Sequence, residues 1–91
     1  MNRADAYAIL SRELDSWRQR PYEHLLALVG RPPSSEIVLL GTEDITVSVK
    51  VRWADAEKNL LRIEASADGP SCWRLERLEE SIIVGRNQHG G

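Results

Sequence analysis

Residues 45–53, ITVSVKVRW, constrain this chain more than any other stretch. Ile45, Val47, Val49, Val51 and Trp53 alternate without a break with Thr46, Ser48, Lys50 and Arg52. Successive side chains on a strand point to opposite faces, so the run has one apolar face and one wet face. The apolar side is mostly β-branched, which suits a pleated, half-buried surface. A slip of one residue would turn every apolar group outward, so the pattern also specifies which side faces the core.

With 91 residues there is room for one small domain and no second core. The apolar fraction is 42% and the charged fraction 29%, which places the chain with globular proteins rather than disordered ones. A formal charge of −2 with no acidic or basic block argues against nucleic-acid binding, which needs a clustered positive field. No apolar run approaches the ~20 residues of a membrane span. The first seventeen residues carry charges throughout and lack the apolar centre of a signal peptide. Cys72 is the only cysteine, which rules out an intrachain disulfide and suits a reducing compartment. These features predict a cytoplasmic protein.

In chain order, Asn2 is placed to cap a helix, with Asp5 where the helix dipole favours an acid. Tyr7, Leu10, Leu14 and Trp17 recur at three- and four-residue spacing and line one face of it. Pro21 stands at the first position of a second, short helix of about two turns. Leu25, Leu26, Leu28 and Val29 follow, then Gly30 as a left-handed cap, and Pro32-Pro33 stops the helix.

Residues 36–40, EIVLL, read as a first strand, 41–44 as a turn, and 45–53 as the hairpin partner. After a polar loop, Leu61, Ile63, Ala65 and Ala67 alternate as a third strand. Two registers satisfy the inward faces. One sets Val51 opposite Ile63, Lys50 opposite Glu64 and Arg52 opposite Arg62; the other sets Arg52 opposite Glu64. Cross-strand charge pairs contribute only a few tenths of a kcal/mol, so both stay open. Asp68-Gly69-Pro70 is a turn signal, 72–75 a fourth strand, 78–80 a bend, and 81–84 a short final strand. Residues 1–85 thus form one α+β domain, and 86–91 a flexible C-terminal tail.

Chemistry finds little to work with. A hydrolytic site needs a nucleophile beside a base that a third group orients. Only His24 and His89 offer an imidazole; the first sits in the short helix and the second in the tail. Cys72 opens a strand with no electropositive neighbourhood to activate a thiolate. One cysteine and two distant histidines do not make a zinc site, and Glu79-Glu80 reads as a solvated acidic pair. No glycine-rich phosphate loop precedes Lys50 or Lys58. Gly90-Gly91 is similar to the tails of ubiquitin-like carriers, but those place a helix between two hairpins, whereas here both helices precede the strands. No catalytic residue, cofactor or metal ligand is assigned.

What remains is a surface. Arg52, Arg62, Arg74 and Arg77 fall at positions that can share the outer face of the sheet, with Glu64, Glu76 and Glu79 among them. Trp53 and Trp73 flank polar loops and are candidates for aromatic anchors. The candidate interaction surface is therefore Arg52, Arg62, Arg74, Trp53 and Trp73.

The segment PYEHLLALVG (21–30), Trp53 before an acidic loop, Asp68-Gly69, Trp73-Arg74 and LEESIIV (78–84) together resemble a family of small bacterial α+β proteins with no attached activity. The resemblance spans nearly the whole chain, departs by a shorter stretch between Trp73 and Leu78, and carries no site residues.

The expected architecture is α+β, with two N-terminal helices packed on one face of a four- or five-stranded antiparallel β-meander. The leading helix is expected over the 45–53 ribbon. The expected function is a non-catalytic protein-interaction module of an immunity or regulatory kind, acting on an unidentified protein partner, with no nucleic acid and no membrane. It would be a monomer or a weak homodimer through an edge strand. The alternative is a small ligand-binding protein or enzyme with a pocket between helices and sheet, in which Cys72 or His24 would act.

Overall fold

The computed structural model of the protein describes residues 3–69 and 77–85. Helix α1 spans Arg3–Arg18 and helix α2 Tyr22–Leu26. Four strands follow: β1 Ser34–Leu40, β2 Glu43–Trp53, β3 Leu60–Asp68 and β4 Arg77–Gly85. They form one antiparallel sheet in the order β1-β2-β3-β4, so the chain is α+β. The expected strand at 72–75, the cap at Asn2 and the tail at 86–91 lie outside the described residues.

Helix α1 forms because Ala6, Leu10, Leu14 and Trp17 fall on one stripe, and all four are buried. Tyr7, expected on that stripe, is rotated off it and 39% exposed; Ala6 takes the inward place. Helix α2 is only five residues long, shorter than the two turns expected. Pro21 is its cap, with a non-helical ψ of 145°, rather than its first helical residue. Tyr22 and Leu25 are buried, whereas Leu26 is exposed. The chain continues through turns bonded Leu28 N to Leu25 O and Val29 N to Leu26 O, then reverses at Gly30, φ +81°. That left-handed conformation is the one glycine was expected to supply.

The 45–53 ribbon behaves as its alternation requires. Ile45, Val47, Val49 and Val51 are buried, while Thr46, Lys50 and Arg52 are exposed. The strand begins two residues earlier than expected, because Gly41, φ +65°, and Thr42 alone make the turn. A glycine at positive φ in the first turn position is the signature of a tight type II′ hairpin. Between β2 and β3 the observed register pairs Val51 with Ile63, Lys50 with Glu64 and Arg52 with Arg62.

Two further expectations are corrected. Residues 78–80 do not bend: Arg77 through Gly85 run as one strand beside β3. In its register Leu78, Ile82 and Val84 stand beside the inward Ala67, Ile63 and Leu61, and this shared apolar face outweighs the polar Glu79-Glu80 pair. Glu80 takes the inward position opposite Ala65 but stays exposed, at a depression bordered by Ser11, Arg12 and Asp15 of α1. Second, α1 runs chiefly against β4 and β3 rather than against β2. The inward side chains of β3 include Ala65 and Ala67, small enough to admit a helix closely. The side chains of both helices and of β2, β3 and β4 still join in one buried cluster.

Candidate functional site

The core claims one face of each strand, and the other face is where side chains are free to act. In-register neighbours point to the same side, so Ser48, Lys50 and Arg52 of β2 share the outer face with Arg62, Glu64 and Ser66 of β3. Ile37 and Leu39 of β1 and Arg77, Glu79 and Ser81 of β4 complete it. A shallow groove of about 470 Å³ crosses this face, bordered by Ser48, Lys50, Arg62, Glu64, Ser66, Arg77 and Glu79 among others.

The charges in the groove are unevenly matched. Arg52 Nη1 lies 3.6 Å from Glu64 Oε1, and Arg77 Nε lies 3.0 Å from Glu79 Oε1 and 3.8 Å from Asp68 Oδ1. Lys50 and Arg62 have no ion-pair partner among the described residues. The Nε of Arg62 is buried and meets no acceptor. A buried donor without a partner costs about 1–3 kcal/mol, more when charged. Ser66, only 6% exposed, is the one buried polar residue among those described, and its hydroxyl makes no hydrogen bond to any of them. Ser48 differs, its hydroxyl lying 2.9 Å from that of Ser35. Among the described residues the arrangement offers two unpaired cations to a passing acceptor, beside a buried, unpaired hydroxyl and with no base–nucleophile pair.

Arg52 and Arg62 are brought together as the sequence suggests. Trp53 is not with them: it lies at an inward-facing position, half-buried against the core, because odd positions of β2 face inward. Arg74 and Trp73 lie outside the described residues, as does Cys72. Lys50 and Ser66 were not singled out from the sequence, since only the register shows them to border one groove with Arg62. Ile37 and Leu39 were missed too, although EIVLL carries apolar residues at both parities, a signal that one pair must face outward.

His24 is exposed on α2 and borders a separate depression of about 250 Å³ with Glu13, Trp17, Arg20 and Val49. There Trp17 Nε1 donates to Glu13 Oε1 at 3.1 Å, and the Arg20 guanidinium lies 3.8 Å over the Trp17 ring. His24 makes no side-chain hydrogen bond among the described residues. Among the described residues no three His, Cys, Asp or Glu side chains gather to hold a metal ion. No helix described is long and apolar enough to cross a membrane. Compared with known families, curated proteins and solved structures, the chain matches none.

Proposed function

We propose that this protein is a non-catalytic interaction module that binds a protein partner through the outer face of its sheet, in the manner of an immunity or regulatory protein that blocks another protein. In this reading both helices cover one face and leave the other free. The observation that carries it is the pair of unpaired cations, Lys50 and Arg62, in an open groove with the Nε of Arg62 buried and unsatisfied. A partner carboxylate placed there would accept from a guanidinium that now lacks an acceptor, a charge-assisted bond stronger than a neutral one. The flanking Glu64 and Glu79 are already engaged by Arg52 and Arg77, so they add polar shape at the rim. The resemblance to small bacterial α+β proteins belongs to the same proposal, as does a cytoplasmic location.

The test is affinity capture from the source cell with the wild-type protein and with a Lys50→Glu/Arg62→Glu double variant. A glutamate at position 62 would face Arg52 favourably, while one at position 50 would stand opposite Glu64 at a cost of a few tenths of a kcal/mol, so unchanged circular dichroism is the control that the variant retains its sheet. A protein held by the wild type and released by the variant supports the reading. Equal capture by both, or none by either, removes it.

A second reading has one observation behind it. His24 borders the depression beside Trp17, which suits a small ligand-binding protein with its pocket between helices and sheet. Chemical-shift changes at His24 on screening small anions and aromatics would favour this over the sheet face.

A further inference from the structure

The two edges of this sheet are not alike. Strand β4 carries Arg77, Glu79 and Glu80, charges of the kind that discourage strand addition. Strand β1, SSEIVLL, has one charge, Glu36, and places Ile37 and Leu39 outward with 71% and 68% of their surfaces exposed. Among the described residues nothing pairs with its second edge.

The hairpin turn decides which backbone groups that edge offers. A two-residue loop at Gly41-Thr42 is closed by the pair Leu40–Glu43. In such a hairpin the closing pair exchanges hydrogen bonds, and the ladder alternates from there. Leu40, Val38 and Glu36 therefore bond toward β2. The N–H and C=O groups of Leu39, Ile37 and Ser35 point to the free edge. The two most exposed large apolar residues among those described are thus also ones with outward-facing backbone groups.

We propose that β1 pairs antiparallel with β1 of a second copy of this chain, joining two four-stranded sheets edge to edge. One register with Val38 opposite Val38 sets Ile37 against Leu39 of the second copy, twice by the two-fold symmetry. Both are residues whose backbone groups are free to bond, and their side chains meet on the outer face. Glu36 then faces Leu40 of the second copy rather than its own equivalent, so no like charges oppose. The neighbouring registers, with Ile37 opposite Ile37 or Leu39 opposite Leu39, match only one of the two exposed apolar residues and set the other against Ser35 or Gly41, and the register with Glu36 opposite Glu36 opposes like charges. This self-matching is what selects a second copy over a strand from another protein. A seven-residue strand pair falls short of the ~1,200 Å² that stable interfaces bury, so the dimer is weak and concentration-dependent. It uses the edge of the sheet and leaves the groove at Lys50 and Arg62 accessible, so it stands or falls apart from the proposed function.

The experiment is sedimentation equilibrium from micromolar to millimolar protein, on the wild type, on Ile37→Lys/Leu39→Lys and on Ile37→Pro. The wild-type mass is expected to rise from 10.3 kDa toward twice that value with concentration. Both variants should stay at the monomer mass with unchanged circular dichroism, since Ile37→Pro removes a donor that β2 does not use. If proline unfolds the chain, the lysine variant decides the question. Mixed-isotope samples should show contacts between Ile37 methyls of one copy and Leu39 methyls of the other. A monomer at millimolar wild type, a dimer that survives the lysines, or an absence of those contacts in the dimer would overturn the proposal.

Discussion

Arg52 and Arg62 stand directly opposite each other across the β2–β3 ladder, and Arg52 turns diagonally to Glu64, 3.6 Å away, leaving Arg62 alone. Like charges directly opposite destabilise a sheet by a few tenths of a kcal/mol, and the buried Nε of Arg62 adds its own cost. Residues that cost stability without compensation mark places where something other than folding is being served.

Replacing Arg62 by threonine should therefore stabilise the protein. The substitution removes the repulsion and the unsatisfied donor, and puts a β-branched residue on a strand. The expected gain is about 0.5–1 kcal/mol, read as a higher urea midpoint at unchanged slope. The same variant should lose affinity for the partner caught by the wild type. A stability loss would show that Arg62 holds the sheet together.

Glu64→Ala should cost only about 0.5 kcal/mol, because both members of its pair with Arg52 are more than a third exposed. Added salt should shrink the difference between variant and wild type. A cost that persists in molar salt would mean the Glu64 side chain acts by packing instead.

Leu10 is fully buried on the α1 stripe. Truncation to alanine should cost about 2–5 kcal/mol, a large share of the ~5–15 kcal/mol available to a small domain. Tyr7→Ala, one residue off the stripe, should change the unfolding midpoint little. Similar effects at both positions would place the helix stripe elsewhere.

The β2–β3 connection depends on Asp55, whose Oδ1 accepts from the Asn59 N–H at 2.9 Å and the Leu60 N–H at 3.0 Å. Asp55→Ala leaves both donors to water and should cost about 1 kcal/mol, while Asp55→Asn keeps an acceptor and should cost less. Amide exchange at Leu60 should accelerate in the alanine variant alone.

Trp17 is held from two sides, by Glu13 and by Arg20 over its ring. Arg20→Ala should lower stability by about 0.5–1 kcal/mol and shift tryptophan emission, whereas Arg18→Ala, whose pair with Asp15 is exposed, should do neither.

Much of this architecture is legible in residue order. Strict alternation from Ile45 to Trp53 determines which side chains of β2 are buried. The Leu10–Leu14–Trp17 spacing determines a helix with one apolar stripe. Gly30 and Gly41 mark two of the three described places where the backbone takes a positive φ; the third, Lys58 at φ +60°, carries no such mark in its residue type. Those features depend on near neighbours in the chain, whose geometry is the same wherever the segment ends up.

What only the tertiary structure decided was how the segments meet. Two β2–β3 registers differed by a few tenths of a kcal/mol in charge pairing, too little to choose between by inspection. The continuous β4 overrode its own polar Glu79-Glu80 because Leu78, Ile82 and Val84 could join the apolar face of β3. The helix settled against β3 and β4, where alanines make room, and Trp53 fell on the opposite face from Arg52 and Arg62. Each of these is set by contacts between residues far apart in sequence, where many weak terms are summed at once and no single residue pattern carries the result.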